Sequence, residues 1–183
     1  MKFSLYVFTL STFCLLSCSN TPTTEADKVA ELPFFEMQAF FEEEINRLNE
    51  LQPLVKKTVV INQESETKQI DAIDYEKELK VFSNSDINKM AWFDKYSIDS
   101  LYDNNQLQSI SYQALDEMLK TQKINIAFQS NEVSQIEIEN KTKSFIAASD
   151  QKLIYTPSSG YSIQTKQEMA VGKDKEIKIE VKF

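Results

Sequence analysis

The chain of 183 residues contains no histidine, only two glycines and only two cysteines. Without histidine it cannot build a Ser-His-Asp or Cys-His catalytic centre, a histidine-ligated zinc site or an imidazole proton shuttle. Two glycines are too few for a glycine-rich phosphate-binding loop or a Gly-rich linker. These absences exclude several common classes of enzyme and nucleotide-binding protein.

Basic residues are also scarce, because 20 Lys+Arg stand against 28 Asp+Glu and the formal net charge is −8. Nucleic-acid binding needs a basic surface that neutralises phosphates, so we expect no nucleic-acid partner. The chain is instead rich in carboxylates. The groups that could serve a glycosidase are Glu42-Glu43-Glu44, Asp71 with Asp74, and Asp99 with Asp103.

No serine lies in a G-x-S-x-G or Ser-x-x-Lys motif, so a carboxylate-based hydrolase is the weak alternative among the functions considered. Asp86, Asn88 and Asp94 lack the alternate spacing, central Gly and terminal Glu of an EF-hand loop. We therefore expect a protein that is not an enzyme and has no catalytic, metal or cofactor site.

The N-terminus carries the longest uncharged stretch of the chain. After Lys2, residues 3–16 are mostly apolar or hydroxylic, and the stretch ends at Ser17-Cys18. It is shorter than the about 20 apolar residues that a bilayer-spanning helix needs. This pattern is typical of a signal peptide, and we expect residues 1–17 to be removed.

The residues Leu15-Leu16-Ser17-Cys18 resemble the lipobox of bacterial lipoproteins, with a small residue directly before the cysteine. Cys14 follows the bulky Phe13 and does not fit this pattern. The resemblance implies a diacylglyceryl group on the Cys18 sulfur, cleavage before Cys18 and acylation of the new amino group, by palmitate or a similar acid. An ordinary secretory signal and an uncleaved anchor remain open alternatives.

The polar residues 18–32 predict a lipidated, flexible tether. Ser19, where inner-membrane lipoproteins carry Asp, resembles the pattern of outer-membrane lipoproteins. Asn20-Thr21 does not resemble the acidic signal that sends some lipoproteins to the cell surface. We expect anchoring in the bacterial outer membrane, facing the periplasm, in a chain that resembles small uncharacterised outer-envelope lipoproteins.

Residues 33–183 are predicted to form a single domain that begins with a helix over residues 33–51. At helical spacing one stripe is apolar and comprises Phe34, Met37, Phe41, Ile45 and Leu48. Glu43 and Arg47 are spaced for an i,i+4 ion pair. A second helix over residues 74–82 is predicted to begin at the capping residue Asp74.

The rest of the chain alternates apolar and polar residues with period two, which predicts β-strands. A first hairpin is expected over residues 54–73, with its turn at Glu64-Ser65-Glu66. Later strands are predicted around residues 96–98, 110–114, 124–128, 136–138, 145–146, 153–155, 161–163 and 177–183. Turns are predicted at residues 131–132, 140–141, 157–160 and 172–174. The predicted fold is α+β, an N-terminal amphipathic helix packed on a long curled antiparallel β-meander with a short second helix.

Two non-enzymatic functions fit this architecture. In the first, the membrane-anchored domain binds an envelope protein partner through an exposed strand edge or aromatic patch. In the second, the helix and curled sheet enclose an apolar groove for a lipid or acyl chain. The aromatic candidates for either surface are Trp92-Phe93, Tyr102, Tyr112, Tyr155 and Tyr161, with ordinary sheet packing as the alternative for each.

Overall fold

The computed structural model describes residues 34–183, which belong to one compact unit. The predicted signal peptide over residues 1–17, the acylation site Cys18 and the tether over residues 18–32 lie outside the described residues and stay predictions. Between residues 34 and 183, neither helix has the length and apolar character needed to cross a membrane.

The described residues form two α-helices, a 3₁₀ turn and nine strands. The helices are α1 (Met37–Leu51) and α2 (Tyr75–Ser83), followed by the 3₁₀ turn at Met90–Trp92. The strands are β1 (Val55–Ile61), β2 (Glu64–Ile70), β3 (Tyr96–Asp103), β4 (Gln106–Ala114), β5 (Thr121–Gln129), β6 (Glu132–Lys143), β7 (Ala147–Thr156), β8 (Gly160–Met169) and β9 (Lys175–Lys182).

All nine strands form one antiparallel sheet in the order β2-β1-β9-β8-β7-β6-β5-β4-β3. The predicted antiparallel meander is therefore confirmed from β3 to β9, where each strand pairs with the next one in sequence. The β1–β2 hairpin joins this meander through the pairing of β1 with β9. Consequently β9 is an interior strand, and β2 and β3 are the two edges.

The register aligns the apolar side chains on one face of the sheet. One row crosses five strands and contains Ile126, Ile136, Tyr155, Tyr161 and Val181. All of these side chains are buried. The next row along the strands, Glu137, Ile154, Ser162 and Glu180, lies on the other face. The sheet thus has one apolar and one largely polar face, as the period-two pattern predicts.

Helix α1 begins later than predicted. Residues 34–36 precede the first helical residue, and the Phe35 N–H donates to the Tyr112 hydroxyl at 3.0 Å. Phe34 is buried beside the Tyr96 and Tyr112 rings, with centroids 5.8 and 5.5 Å away. This non-helical segment is fixed to the sheet by side-chain contacts that helical spacing alone cannot indicate.

Helix α2 agrees with the prediction. The Asp74 Oδ1 atom accepts a hydrogen bond from the Lys77 N–H at 3.1 Å, which confirms Asp74 as the N-cap. Tyr75, Leu79 and Phe82 are buried along one side of the helix. The local signals for this helix were therefore sufficient to place it.

The first hairpin turns earlier than predicted. Its turn is at Asn62 and Gln63, which have φ angles of 47° and 82°, and Glu64 already belongs to β2. The prediction of a turn at Glu64-Ser65-Glu66 is wrong, because these residues lie on an edge strand with largely exposed side chains. Because both faces of this edge strand are polar, its sequence lacks the apolar alternation by which the other strands were predicted.

Two predictions around the β6–β7 connection are also wrong. Residues 140–141 were expected to turn but lie inside β6, where buried Asn140 donates from Nδ2 to the Ser85 Oγ atom at 3.0 Å. Residues 145–146 were expected to be a strand but form the turn, and Phe145 is exposed. Asn is common in turns, but Asn140 is buried in a strand because the Ser85 hydroxyl accepts its amide hydrogen bond. Phe is common in cores, but Phe145 is exposed in a turn.

The close approach of β8 to β9 predicts a difference between the two glycines. Gly160 (φ +127°) has no room for a Cβ atom, which would lie 1.9 Å from the Val181 carbonyl oxygen, whereas Gly172 (φ +113°) has open space. We expect Gly160→Ala to lower the free energy of unfolding by about 3 kcal/mol or more, through strain and overpacking. Gly172→Ala carries the backbone strain alone and should cost about 1–2 kcal/mol. Urea denaturation of the full chain measures both, and equal losses would contradict this account.

Candidate functional site

The predicted carboxylate pairs have separate structural surroundings. Glu42 and Glu43 are exposed on α1, whereas Glu44 on the same helix is buried. Asp71 is exposed after β2, and Asp74 caps α2 with its second oxygen 2.7 Å from the Lys77 ammonium. These contacts give the carboxylates structural roles and do not assemble an acid and base pair.

The remaining pair, Asp99 and Asp103, lies along β3 with both side chains exposed. Four residues of a strand separate the two positions by about 13 Å, which exceeds the spacing of a glycosidase pair. Asp86 also has a structural role, because its Oδ1 accepts from both nitrogens of Asn88 at 3.2 Å. Within residues 34–183 no three His, Cys, Asp or Glu side chains are grouped to hold a metal ion.

Glu44 is the only buried charged residue in the described part of the chain. Its carboxylate receives two hydrogen bonds of 2.8 Å from Arg47 and one of 2.5 Å from the Tyr155 hydroxyl. Arg47 also donates to the Pro157 carbonyl oxygen at 2.7 Å. The predicted Glu43–Arg47 pair is wrong, because Glu44 faces the sheet and meets Tyr155 there.

Helix α2 contributes a similar cluster. The Glu78 carboxylate lies 2.6 Å from the Lys57 ammonium of β1 and accepts from the Tyr161 hydroxyl of β8 at 2.5 Å. Sequence reasoning missed the roles of Glu44 and Glu78. The i,i+3 spacing of Glu44 and Arg47 was the available signal for the first cluster, and nothing local indicated the second.

The ionisation of these groups fits a structural role. Burial raises the pKa values of the Tyr155 and Tyr161 hydroxyls well above the ordinary value for tyrosine. The hydrogen bonds of these hydroxyls to Glu44 and Glu78 raise both pKa values further. The hydrogen bond to Glu44 also raises the pKa of Arg47. Protonated tyrosines beside paired ions offer neither a general base nor a nucleophile at neutral pH. The clusters therefore attach the helices to the sheet.

Three of the six aromatic candidates are core residues. Tyr112, Tyr155 and Tyr161 are buried, and Trp92 is half-buried with the Lys89 ammonium 3.9 Å from its ring centroid. Phe93 is in part exposed and packs edge-on against Phe34, and Tyr102 is the most exposed of the set. Ordinary packing thus accounts for the three buried tyrosines, and Tyr102 remains as a surface candidate.

Tyr102 belongs to an exposed strand edge. Residues 97–103, which we call the β3 edge, pair with β4 on one side only. Ile98, Leu101 and Tyr102 are 52%, 62% and 62% exposed. Alternation along the strand places Ile98 and Tyr102 on one face, with Asp99, Leu101 and Asp103 on the other. Among residues 34–183 this edge therefore has no strand on its outer side, and it carries exposed apolar side chains.

The opposite edge has a different character. Strand β2 presents Glu64, Glu66 and Lys68, and the last two form an exposed ion pair at 2.7 Å. Charged side chains on an edge discourage pairing with another strand. The two edges of this sheet are therefore unequal, because β3 exposes more large apolar side chains than β2.

The chain has no match among protein-family models, curated proteins or solved structures. A functional proposal consequently depends on the geometry of residues 34–183 and on the N-terminal sequence.

The buried Glu44 cluster predicts a difference between two neighbouring glutamates. Glu44→Gln leaves Arg47 without its partner charge, and we expect a loss of about 2 kcal/mol of unfolding free energy after allowing for the partial exposure of Arg47. Glu43→Gln removes the same charge from an exposed position and should change stability by less than about 0.5 kcal/mol. Thermal and urea unfolding of the two variants compare these values, and similar losses would show that burial of Glu44 is not important.

Proposed function

We propose that this protein is a lipid-anchored envelope protein of the bacterial outer membrane that acts as a non-enzymatic binding module. It faces the periplasm and binds a protein partner at the β3 edge. The observation that carries this function is the exposure of Ile98, Leu101 and Tyr102 on a strand whose outer backbone groups are unpaired within the described sheet.

The lipobox residues Leu15-Leu16-Ser17-Cys18 support the anchor. One acyl chain holds a protein at a membrane only reversibly, whereas two or three chains, at about 0.8 kcal/mol per buried methylene, hold it stably. The acylated Cys18 would then keep the domain at the membrane surface at a high local concentration. A partner in the same envelope could therefore be bound through a small interface.

The chemistry of the β3 edge indicates what kind of partner it binds. An extended segment can add a tenth strand, with its backbone groups hydrogen-bonded to those of residues 97–103. Apolar side chains of that segment would lie beside Ile98 and Tyr102. Basic side chains on its other face would meet Asp99 and Asp103, which are exposed. The expected partner therefore presents a strand of alternating apolar and basic residues.

We also infer that the architecture is α+β, with both helices covering the apolar face of a curled sheet. The Phe41 and Phe82 rings of the helices have centroids 5.0 and 5.8 Å from that of Tyr155 in β7. The ion pair of Lys57 with Glu78 adds a polar contact between β1 and α2. These contacts lie on the face opposite to the polar row.

The two alternative functions have less support. An acyl-chain carrier needs an apolar groove, but between the helices and the sheet Phe41, Phe82 and Tyr155 are fully buried and fill the space. A cleft of about 590 Å³ between α1 and α2 is lined mainly by polar groups, including Glu42 and Glu76. A carboxylate-based hydrolase lacks an assembled carboxylate pair among residues 34–183.

The anchor is tested by the variant Cys18→Ser. We expect this variant to remain unacylated and unprocessed by the lipoprotein signal peptidase, because the sulfur that receives the diacylglyceryl group is absent. Metabolic labelling with a radioactive fatty acid and detergent-phase partitioning measure the change, with Cys14→Ser as the matched control. Equal labelling of both variants and the parent would contradict acylation at Cys18.

The β3 edge is tested by photo-cross-linking in intact cells. A photoreactive side chain at Ile98 or Tyr102 should give a discrete cross-linked product, and one at Thr67 on the β2 edge should not. The double variant Ile98→Lys/Tyr102→Lys should lose at least about tenfold in partner binding, because it removes apolar contacts and buries two charges beside the apolar side chains of the partner strand. Products of equal yield at both edges, or none at either, would contradict the assignment.

A further inference from the structure

Exposed apolar side chains gather at one end of the sheet. Because successive antiparallel strands reverse direction, the turns at residues 115–120, 144–146 and 170–174 lie at the same end. The Ala170 N–H donates to the Ile146 carbonyl at 3.0 Å and joins two of the turns directly, and the Lys141 N–H of β6 donates to the Lys120 carbonyl of the first turn at 2.8 Å. We call these three turns the apolar turn end.

The tips of these turns are exposed. The side chains of Met118, Phe145 and Val171 are 86%, 92% and 87% exposed, one on each turn, and Leu115 and Ile146 add further apolar surface. Single exposed apolar residues are common on proteins, but three neighbouring tips of this kind at one end are not. Since the connections are two strands apart, the row spans about 20 Å.

The charge at this end differs from that of the chain. Residues 115–120, 141–150 and 168–175 contain equal numbers of lysines and carboxylates, whereas the chain has a net charge of −8. The Asp116 carboxylate accepts a hydrogen bond from the Met118 N–H of its own turn at 2.8 Å, and the Asp174 carboxylate accepts one from the Met169 N–H at the end of β8 at 3.1 Å. These three segments are therefore neutral overall, and Lys120 and Lys143 lie close in sequence to the Met118 and Phe145 tips.

The first described residue of the chain, Phe34, also lies at this end of the sheet. Phe34 packs against Tyr96, the first residue of β3, and Tyr112, near the end of β4. Both positions lie at the end of the sheet where the turn at residues 115–120 is found. A lipid on Cys18 would therefore be attached to the domain at this end, through residues 18–34, which reach at most about 55 Å when extended.

We propose that the apolar turn end docks on the surface of the lipid bilayer, with the Met118, Phe145 and Val171 side chains entering its interfacial region. The location of the tether rests on the proposed acylation of Cys18. Lysines beside the tips, such as Lys120 and Lys143, would extend to the headgroups while their methylenes lie against the acyl boundary.

A bilayer fits this surface better than a protein partner. The three tips are separate protrusions, and a gap of about 540 Å³ beside the Met118 turn is lined by Lys120, Lys141 and Lys143 among others. A protein partner would need a surface shaped to all three protrusions and to this gap, whereas lipid headgroups adapt to both. Docking at this end also leaves the far end of β3, with Tyr102, directed away from the membrane.

The test uses the full chain isolated in its native form from the envelope, with a single tryptophan as probe. In a Trp92→Phe background, Phe145→Trp and Val171→Trp report on two tips, and Tyr102→Trp is the control at the opposite end of the sheet. Each protein is reconstituted with phosphatidylethanolamine and phosphatidylglycerol vesicles that contain brominated phosphatidylcholine. We expect both tip probes to be quenched several-fold more strongly than the Tyr102→Trp control.

The readout is specific to position, so it depends on where the domain meets lipid and not on how the chain is attached. The labelling of Cys18→Ser tests the anchor separately, and either proposal can therefore fail alone. Thermal melting identifies any probe that disturbs the fold, and two tip probes keep the test decisive if one is lost. Equal quenching at both ends would overturn the docking proposal, as would unquenched tips that cross-link to a protein.

Discussion

The pairing of Tyr155 with Tyr161 is the contact on which the arrangement of helices and sheet depends. These tyrosines are cross-strand neighbours on β7 and β8, and the Phe82 ring lies 5.8 and 5.9 Å from theirs. Their hydroxyls donate to Glu44 of α1 and Glu78 of α2. Each helix is thus held by ring packing, which supplies most of the stabilisation, and by a charge-assisted hydrogen bond, which specifies its position. Strand β9, which lies between β1 and β8, joins the first hairpin to the meander that contains this tyrosine pair.

Both proposed binding surfaces lie on the perimeter of the sheet. Side chains fill the space beneath the helices, and the other face carries mixed polar and charged groups such as Glu137 and Glu180. The surfaces that still expose apolar groups include the β3 edge and the apolar turn end. The two are compatible, because a domain that rests on the bilayer through its turns would hold Tyr102 away from the membrane, where a partner strand can reach it.

Features specified by neighbouring residues could be predicted. Asp74 was recognised as a cap because its hydrogen bond partner is three residues away, and Leu153, Tyr155, Tyr161 and Val181 were placed in strands by alternation alone. Features that depend on distant residues could not be predicted in the same way. Arg47 pairs with Glu44 and not Glu43 because Tyr155 receives Glu44, and the apolar Phe145 lies in a turn, where no alternation marks its position.

The sequence by itself determined the absence of histidine chemistry, the segment resembling an export and acylation signal, and the local choice between helix and strand. These properties belong to composition or to residues a few positions apart. Only the tertiary structure decided that β1 pairs with the C-terminal strand β9, that β3 is an edge of the sheet formed by residues 34–183, and that Glu44 is buried. Period two specifies which face of a strand is apolar but not its neighbour, because strand pairing is decided by backbone hydrogen bonds and packing between segments that are far apart in the chain.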